Sequence, residues 1–346
     1  MTIVEATRPV TGGVDTHLHV HVAATLDSIG GLLGVESFPT TPAGYRKLLG
    51  WMGSFGPVER VGVEGTGAYG AGLARYLHRR GVTVIEVDRA NRQARRQAGK
   101  SDPVDAVEAA RAAQSGRARG VAKTRDGNVE AIRALMVTKR SARTVRTKTM
   151  LQIRHLCFTG PDELRQRLQP LSAIMLAREA AALRPRAGGD IVAYATKVSV
   201  QTLARRVLAL DEEIVRIDEL LADLVERTAP SLLALYGVGV DSAATLLAAA
   251  GDNPERLRSE ATWAHLCGVS PIEASSGKVV RHRLNRGGDR QANAALWRIV
   301  MVRMNSHPPT RAYVERRSKE GRSKLEIMRM LKRYVAREVY RHLPRA

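Results

Sequence analysis

Between residues 10 and 41 apolar and polar positions alternate, and Gly-Gly pairs at 12–13 and 30–31 punctuate the run, which predicts three successive strands in a meander. The period then lengthens. Residues 42–55 read as a helix, 59–64 as a strand running into Gly-Thr-Gly, 68–80 as a second helix and 82–87 as a further strand. A basic connector, 89–100, leads into a helix that opens around Asp102. The predicted order for this part of the chain is βββαβαβα.

From about 120 to 228 glycine becomes scarce and helical periodicity takes over, broken near Gly160-Pro161 and around 184–189. Two long helices are predicted, 123–154 and about 196–227, as an antiparallel pair. In the second, Leu203, Val207, Leu210, Ile214, Ile217 and Leu221 recur at threes and fours, a seam for another helix that serves either the core or a second copy of the chain. Residues 156–195 carry no motif. Residues 232–252 have the pattern of a helix-hairpin-helix, with Gly237-Val-Gly239 as the tight turn. Such a turn exposes backbone N–H groups at a helix start, where a DNA phosphate can bind, although an ordinary helix-helix turn would need the same glycines. The pattern divides the chain into 10–120, 121–228 and 229–346.

Composition narrows the class. The chain has 346 residues, 44% of them hydrophobic, enough for real cores. Lys and Arg number 55 against 34 Asp and Glu, a formal charge of +21, which points to a polyanionic partner and first to nucleic acid. No apolar run approaches the roughly 18 residues that span a bilayer, neither end has a lipidation motif, and the start lacks an apolar signal core. Cys157 and Cys267 are far apart and read as free thiols in a reducing cytosol. The charge is uneven. The predicted helix 123–154 holds nine basic residues against two acidic ones, and the segment 278–346 holds 19 against 5, too lopsided for balancing ion pairs. A nucleic-acid backbone surface is the expectation there, with affinity that falls steeply with salt. Within it Trp297 and Tyr313 are candidates for base stacking, with the core the preferred place for Trp297 because Leu296, Ile299 and Val300 surround it.

Candidate chemistry centres on Asp102 and Asp105, three positions apart at a helix start. One reading is structural: Asp102 as N-cap, Pro103 as the first helical residue, and Asp105 in the acidic slot of a capping box. The other is a divalent cation held with further carboxylates from strands. Asp15 on the first predicted strand and Glu64 at the end of the fourth supply them in the positions of a ribonuclease-H-like domain. Four carboxylates gathered together repel one another, and Mg²⁺ makes them compatible. His17, His19 and His21 follow Asp15 at period two and are expected on its sheet face, with His17 able to approach the carboxylates. Further on, Ser275-Ser276-Gly277 precedes Lys278, Arg281, Arg283, Arg286 and Arg290. Alone it is an ordinary turn, but a serine there can act as a nucleophile if a base, metal or leaving group helps, with the arginines clamping phosphoryl oxygens.

The motifs Gly13-Val-Asp15-Thr, Val63-Glu64-Gly-Thr-Gly-Ala-Tyr69, Lys100-Ser-Asp102-Pro-Val-Asp105-Ala, Gly237-Val-Gly239, and Gly268-Val-Ser-Pro271 leading to Ser276-Gly277 follow one another from residue 12 to about 300. In this order and spacing the chain resembles the one-ten family of bacterial insertion-sequence transposases. The resemblance implies a RuvC-like DEDD domain in which Asp15, Glu64, Asp102 and Asp105 hold Mg²⁺, a helical middle, and a basic C-terminal serine domain. It implies that a serine attacks the scissile phosphate to give a phosphoserine link to DNA. It further implies double-stranded element-end and target DNA, a noncoding guide RNA from the element, a homo-oligomer (dimer or tetramer), and a cytoplasmic, nucleoid-associated setting in a bacterium. The chain departs from the family pattern at two points. Ser275 and Ser276 compete for the place before the glycine, with Ser276 favoured because it directly precedes Gly277, and Glu273 or Ala274 stands where a tyrosine is common. Two rival functions make different demands: a metal-dependent junction nuclease would leave no protein–DNA adduct, and a non-enzymatic architectural or RNA-binding protein would need no carboxylate site.

Overall fold

The structure is a computed structural model that describes residues 8–87, 101–188 and 190–344; the basic connector 89–100, with Lys100 of the third motif, lies outside the described residues. The described chain forms two compact units. The first comprises residues up to Gly127 together with Ala250–Arg258, and the second comprises Asn128–Ala249 and Ser259–Pro344.

In the first unit β1 (Val10–Thr16), β2 (Val20–Leu26) and β3 (Leu32–Pro39) form the expected meander, followed by α1 (Pro42–Ser54), β4 (Val58–Glu64), α2 (Ala71–Arg79), β5 (Thr83–Val87), α3 (Asp102–Gln114) and a short β6 (Gly120–Val121). The sheet runs β3-β2-β1-β4-β5-β6, parallel between β1, β4 and β5 and antiparallel elsewhere. Only the Gly30-Gly31 pair punctuates as expected: Gly30, at φ +94°, turns β2 into β3. Gly12 and Gly13 instead lie inside β1, where the missing side chains make room. A Cβ on Gly12 would meet Met52 Sδ at 2.6 Å, and one on Gly13 would collide with the backbone of Ala106 and Ala110 in α3. Gly62 of β4, paired with Gly13, is equally close to Ala109 O. These two glycines and the small face of α3, Ala106, Ala109, Ala110 and Ala113, let the helix lie flush on the sheet. The opposite face packs Val14, Val61 and Val63 against Leu48 and Met52 of α1 and Leu73 and Leu77 of α2.

The second unit opens on α4 (Asn128–Thr159), which pairs with α7 (Ile191–Thr228). They are antiparallel: Lys139 pairs with Asp218, and Arg146 with Asp211, so one helix descends as the other rises. Of the predicted seam, Val207, Ile217 and Leu221 are buried while Leu203, Leu210 and Ile214 are half-buried; Val200, Ala204 and Val225 complete the buried stripe. The stretch without a motif contains α5 (Asp162–Leu168) and α6 (Ala173–Ala181), which fold over the end of the pair and bury Leu164, Leu168 and Leu176 against Ile153, Val200 and Val207. Asp190 caps α7, accepting from Val192 N at 2.8 Å.

A single turn, α8 (Pro230–Leu233), then α9 (Val240–Ala250) and α10 (Glu260–Leu266) lead to a small hairpin, β7 (Ile272–Glu273) and β8 (His282–Arg283). The chain closes on α11 (Arg290–Ser306), α12 (Pro308–Lys319) and α13 (Lys324–Arg341), the last opened by a capping box between Ser323 and Glu326. Trp297 is not in the core. It is 44% exposed, because the buried face of α11 runs through Ala292, Leu296, Ile299, Val300 and Arg303, and Trp297 lies one position off it. No helix among the described residues is long and apolar enough to cross a membrane.

Lys139, only 3% exposed in its side chain, sits between the carboxylates of Asp218 and Asp241 and ties α4 to both α7 and α9. Burial alone would raise the Asp241 pKa, but Lys139 and Arg143 outweigh it and hold that carboxyl below its usual range. Lys139→Met fills the space, strands Asp218 and leaves Asp241 with Arg143 alone. It is expected to lower the unfolding free energy by about 2 kcal/mol, less than for a fully buried pair because both carboxylates reach solvent. Urea denaturation followed by circular dichroism checks this, and an unchanged midpoint would contradict it.

Candidate active site

Asp15 ends up buried near the C-terminal end of β1, one residue past Val14, which pairs with Val63; Glu64, the next residue on β4, therefore falls on the same sheet face at the adjacent strand end. That end is fastened by Thr16 Oγ1, which donates to the Glu64 carbonyl at 2.8 Å. Asp102 and Asp105 come to the same region on the first turn of α3, because Gly13 and Gly62 allow that helix to lie directly on β1 and β4. Asp105 is buried and Asp102 exposed.

The capping expectation shifts by one residue. Ser101 is the N-cap, Asp102 the first helical residue and Pro103 the second, and the Asp105 amide donates to the Ser101 carbonyl at 3.0 Å. No side-chain capping bond forms at Ser101, so the capping box anticipated with Asp102 and Asp105 is absent. The Asp102 side chain is directed instead to the histidine that follows β1. His17 Nε2 lies 3.0 Å from Asp15 Oδ2 and 3.5 Å from Asp102 Oδ1, and one ligand atom from each of the three residues falls within 4.8 Å of the others.

The other histidines part company with Asp15. The chain turns between Thr16 and Val20, leaving His19 exposed at the turn, and His21 pairs with Thr16 rather than with Asp15. His21 is therefore on the opposite sheet face, buried and stacked on Tyr45 of α1 at 5.8 Å. Burial, and next the charge of His17, lower its pKa to about 4, so it is a neutral core residue at neutral pH. His17 was legible only as a neighbour of Asp15; its spacing of two residues was the available signal.

Burial raises the Asp15 pKa, His17 pulls it down, and the charges of Asp102 and Asp105 raise it again, with a net upward shift. The fold thus favours the protonated acid: the contribution of this group to stability is full at low pH and is lost as pH rises through its folded value. A divalent cation among these groups would remove that repulsion, and the donor set, mostly carboxylate oxygen, is of the hard type such a cation takes.

In the second unit the serine motif forms the tip of the β7–β8 hairpin. Ser276 and Val279 exchange backbone hydrogen bonds of 3.1 Å around Gly277-Lys278, and Gly277 has the positive φ, +56°, of the first position in a two-residue hairpin loop. Ser275 Oγ is held by the opposite strand, accepting from Arg281 N at 3.2 Å. Ser276 is exposed, and its hydroxyl has no hydrogen-bond partner among the described residues. Lys278, Arg281, Arg283, Arg286 and Arg290 are all exposed, and none is in an ion pair among the described residues. Gly237, at φ +77°, packs closely on α11, whose Arg303 Nε donates to Tyr236 O at 2.8 Å, while Gly239 faces open space.

Two family models match the chain. One for the DEDD transposase of IS110, described as a transposase, covers residues 12–157, and one described as the transposase IS116/IS110/IS902 family covers residues 229–315. The chain belongs to the IS110 family of transposases. Within curated members of that group it is 31% identical over 142 residues to an uncharacterized 43.6 kDa protein of insertion element IS110 from Streptomyces coelicolor. It is 29% identical over 137 residues to an uncharacterized 42 kDa protein of insertion element IS900 from Mycobacterium paratuberculosis. Each match takes in 39% of this chain and 34% of the relative, so the chain spans about a third of the length of the curated relatives it matches. The first IS110-family model contains Asp15, Glu64, Asp102 and Asp105, and the second contains Ser275, Ser276 and the arginines that follow.

Proposed function

We propose that this IS110-family chain cuts and rejoins double-stranded DNA at the ends and target of an insertion sequence, by a serine nucleophile assisted by a divalent-metal site. The observation that carries the reading is the meeting of Asp15 and Asp102 around His17, with Asp105 one turn further on a helix seated on paired glycines. A capping role would not require α3 to lie so close to β1. In this reading residues 10–120 are a ribonuclease-H-like, RuvC-like domain, consistent with the strand order and the helix covering the acidic face. Residues 121–228 are a helical spacer and 229–346 the serine domain.

Asp15, Glu64, Asp102 and Asp105 would hold Mg²⁺, which would supply charge stabilisation to the phosphoryl group under displacement. Ser276 Oγ forms a bond to phosphorus as the bond to the leaving deoxyribose oxygen breaks, the serine proton passing to solvent and the leaving oxygen taking one from it, and the reverse displacement by the hydroxyl of a second DNA end restores the serine. Arg281, Arg283 and Arg286 bind the non-bridging oxygens, and Lys278 and Arg290 hold adjoining phosphates. The turn at Gly237 and Gly239 opens α9 as in a helix-hairpin-helix and contacts one phosphate without reading sequence. Target choice by an element-encoded RNA and assembly as a dimer or tetramer complete the proposal; the unpaired basic surface supports polyanion binding of either kind.

The metal half is tested by Asp15→Asn. Without divalent cation the variant is expected to melt above the wild type, since a buried charge among carboxylates is gone. Mg²⁺ should raise the melting temperature of the wild type alone, and cleavage of element-end DNA should fall at least about 100-fold, a loss typical even of groups that only support a ligand. Equal Mg²⁺ response in both proteins would remove the metal site from the proposal.

A further inference from the structure

A cavity of about 770 Å³ lies in the second unit, between the Gly268–Pro271 segment, the stretch around 284–293 and α13. That size takes one compact ligand. Its chemistry is two-sided. Arg286, Arg290, Arg329, Lys332, Arg333 and Arg337 line one part. Arg333 and Arg337 share a single carboxylate, Glu260, and Lys332 Nζ donates to the neutral Asn293 Oδ1 at 2.9 Å. Arg286, Arg290 and Arg329 have no ion-pair partner among the described residues. The Lys332 ammonium feels the crowding: burial first, then the charge of Arg329, lowers its pKa. The remaining wall is apolar, with Pro271, Leu284, Met330 and the ring of Tyr334, which is 49% exposed.

A cluster of like charges around a partly apolar recess is costly without an anion, and a simple anion would use only the cationic part. A nucleotide uses both, its phosphate against the cations and its base against the tyrosine ring and aliphatic wall. A base inside a duplex has its faces covered by its neighbours, whereas an unpaired base presents one.

We infer that this cavity receives one unpaired nucleotide of a nucleic-acid strand, with the phosphate toward Arg290, Arg329 and Lys332 and the base on Tyr334. The inference rests on the nucleic-acid reading above and adds a single-strand subsite to it. Neither Ser275, Ser276 nor any residue of the acidic site lines the cavity, whereas Arg286 and Arg290, assigned above to phosphates beside the serine, do, so the subsite continues the phosphate track that leads from the hairpin.

The test is fluorescence anisotropy with the full chain, a labelled thymidine 12-mer and a duplex of equal length. Tyr334→Ala is expected to weaken the single strand about tenfold, a typical loss for one stacked base, and to leave duplex affinity unchanged. Arg329→Gln, at an exposed residue whose loss spares the core, should weaken the single strand and reduce its salt slope by about one. Equal weakening of strand and duplex, or no weakening of the strand in either variant, would overturn the subsite. Displacement of the 12-mer by thymidine monophosphate at an equal concentration of phosphate would make it a free-nucleotide site and overturn the strand assignment. If the wild type binds neither oligonucleotide, the nucleic-acid reading itself fails, a result distinct from loss of strand preference.

Discussion

Ser276→Ala is expected to abolish the covalent protein–DNA adduct, while Ser275→Ala keeps it. The two hydroxyls are adjacent in sequence but differ in what the hairpin does with them. Ser275 Oγ accepts from Arg281 N across the strands, so its work is to close the hairpin. Ser276 stands at the tip beside Gly277, exposed, with no side-chain partner among the described residues to compete for its lone pairs. Removing a covalent nucleophile costs on the order of 10⁶ in rate in well-studied serine enzymes, so a fall in adduct of at least about 10³ is expected for Ser276→Ala. Ser275→Ala loses two exposed hydrogen bonds to the Arg281 backbone, about 1 kcal/mol in all. A denaturing gel of the protein with labelled element-end DNA, its flanking transcript and Mg²⁺ reads both. Adduct lost only in Ser275→Ala would move the nucleophile by one residue. Cleavage by the wild type with no adduct would replace the serine mechanism with a water-driven nuclease.

Gly13→Val is expected to have the largest effect on the first unit. The new Cβ would press on Ala106 O and Ala110 N, which are backbone atoms of α3 and have no rotamer to yield. The helix must lift off β1, and Asp102 and Asp105 leave Asp15 with it. Overpacking costs up to about 3 kcal/mol even where side chains can adjust, so at least that loss is expected, roughly a 10 °C fall in melting temperature. The rise in melting temperature with Mg²⁺ should vanish in the same variant. Gly12→Ala is milder, because its Cβ meets the flexible end of Met52. A Gly13→Val protein that melts like the wild type and still responds to Mg²⁺ would contradict the seating of α3 as the device that assembles the acidic site.

The elements of the sheet were legible because alternation, proline at helix starts and the Gly30 turn are local signals: β1 to β5 and α1 to α3 fall where the pattern puts them, within a few residues. The long antiparallel helices were legible from their period as well. The two short helices α5 and α6 were not, since their apolar residues acquire a periodic partner only when α4 and α7 close around them. The face of His21 was lost for a related reason. A period of two holds only along one strand, and the turn at His17–His19 resets it, sending His21 to Tyr45 and leaving His17 with Asp15. Trp297 failed by one position, because three apolar neighbours on a helix do not say which of several faces the rest of the fold will cover.

By itself the sequence determined the order of elements, the excess of positive charge, and which carboxylates and serines are available, since these depend on residue type and local spacing. The tertiary structure alone decided which of them meet. Asp15 and Asp102 are 87 positions apart in sequence, and what brings them to the same imidazole is the absence of two side chains, at Gly13 and Gly62, under the alanine face of α3. Gly13 reads in sequence as half of a turn signal, and only packing reveals it as a seat, because close approach is a property of two surfaces and not of one residue.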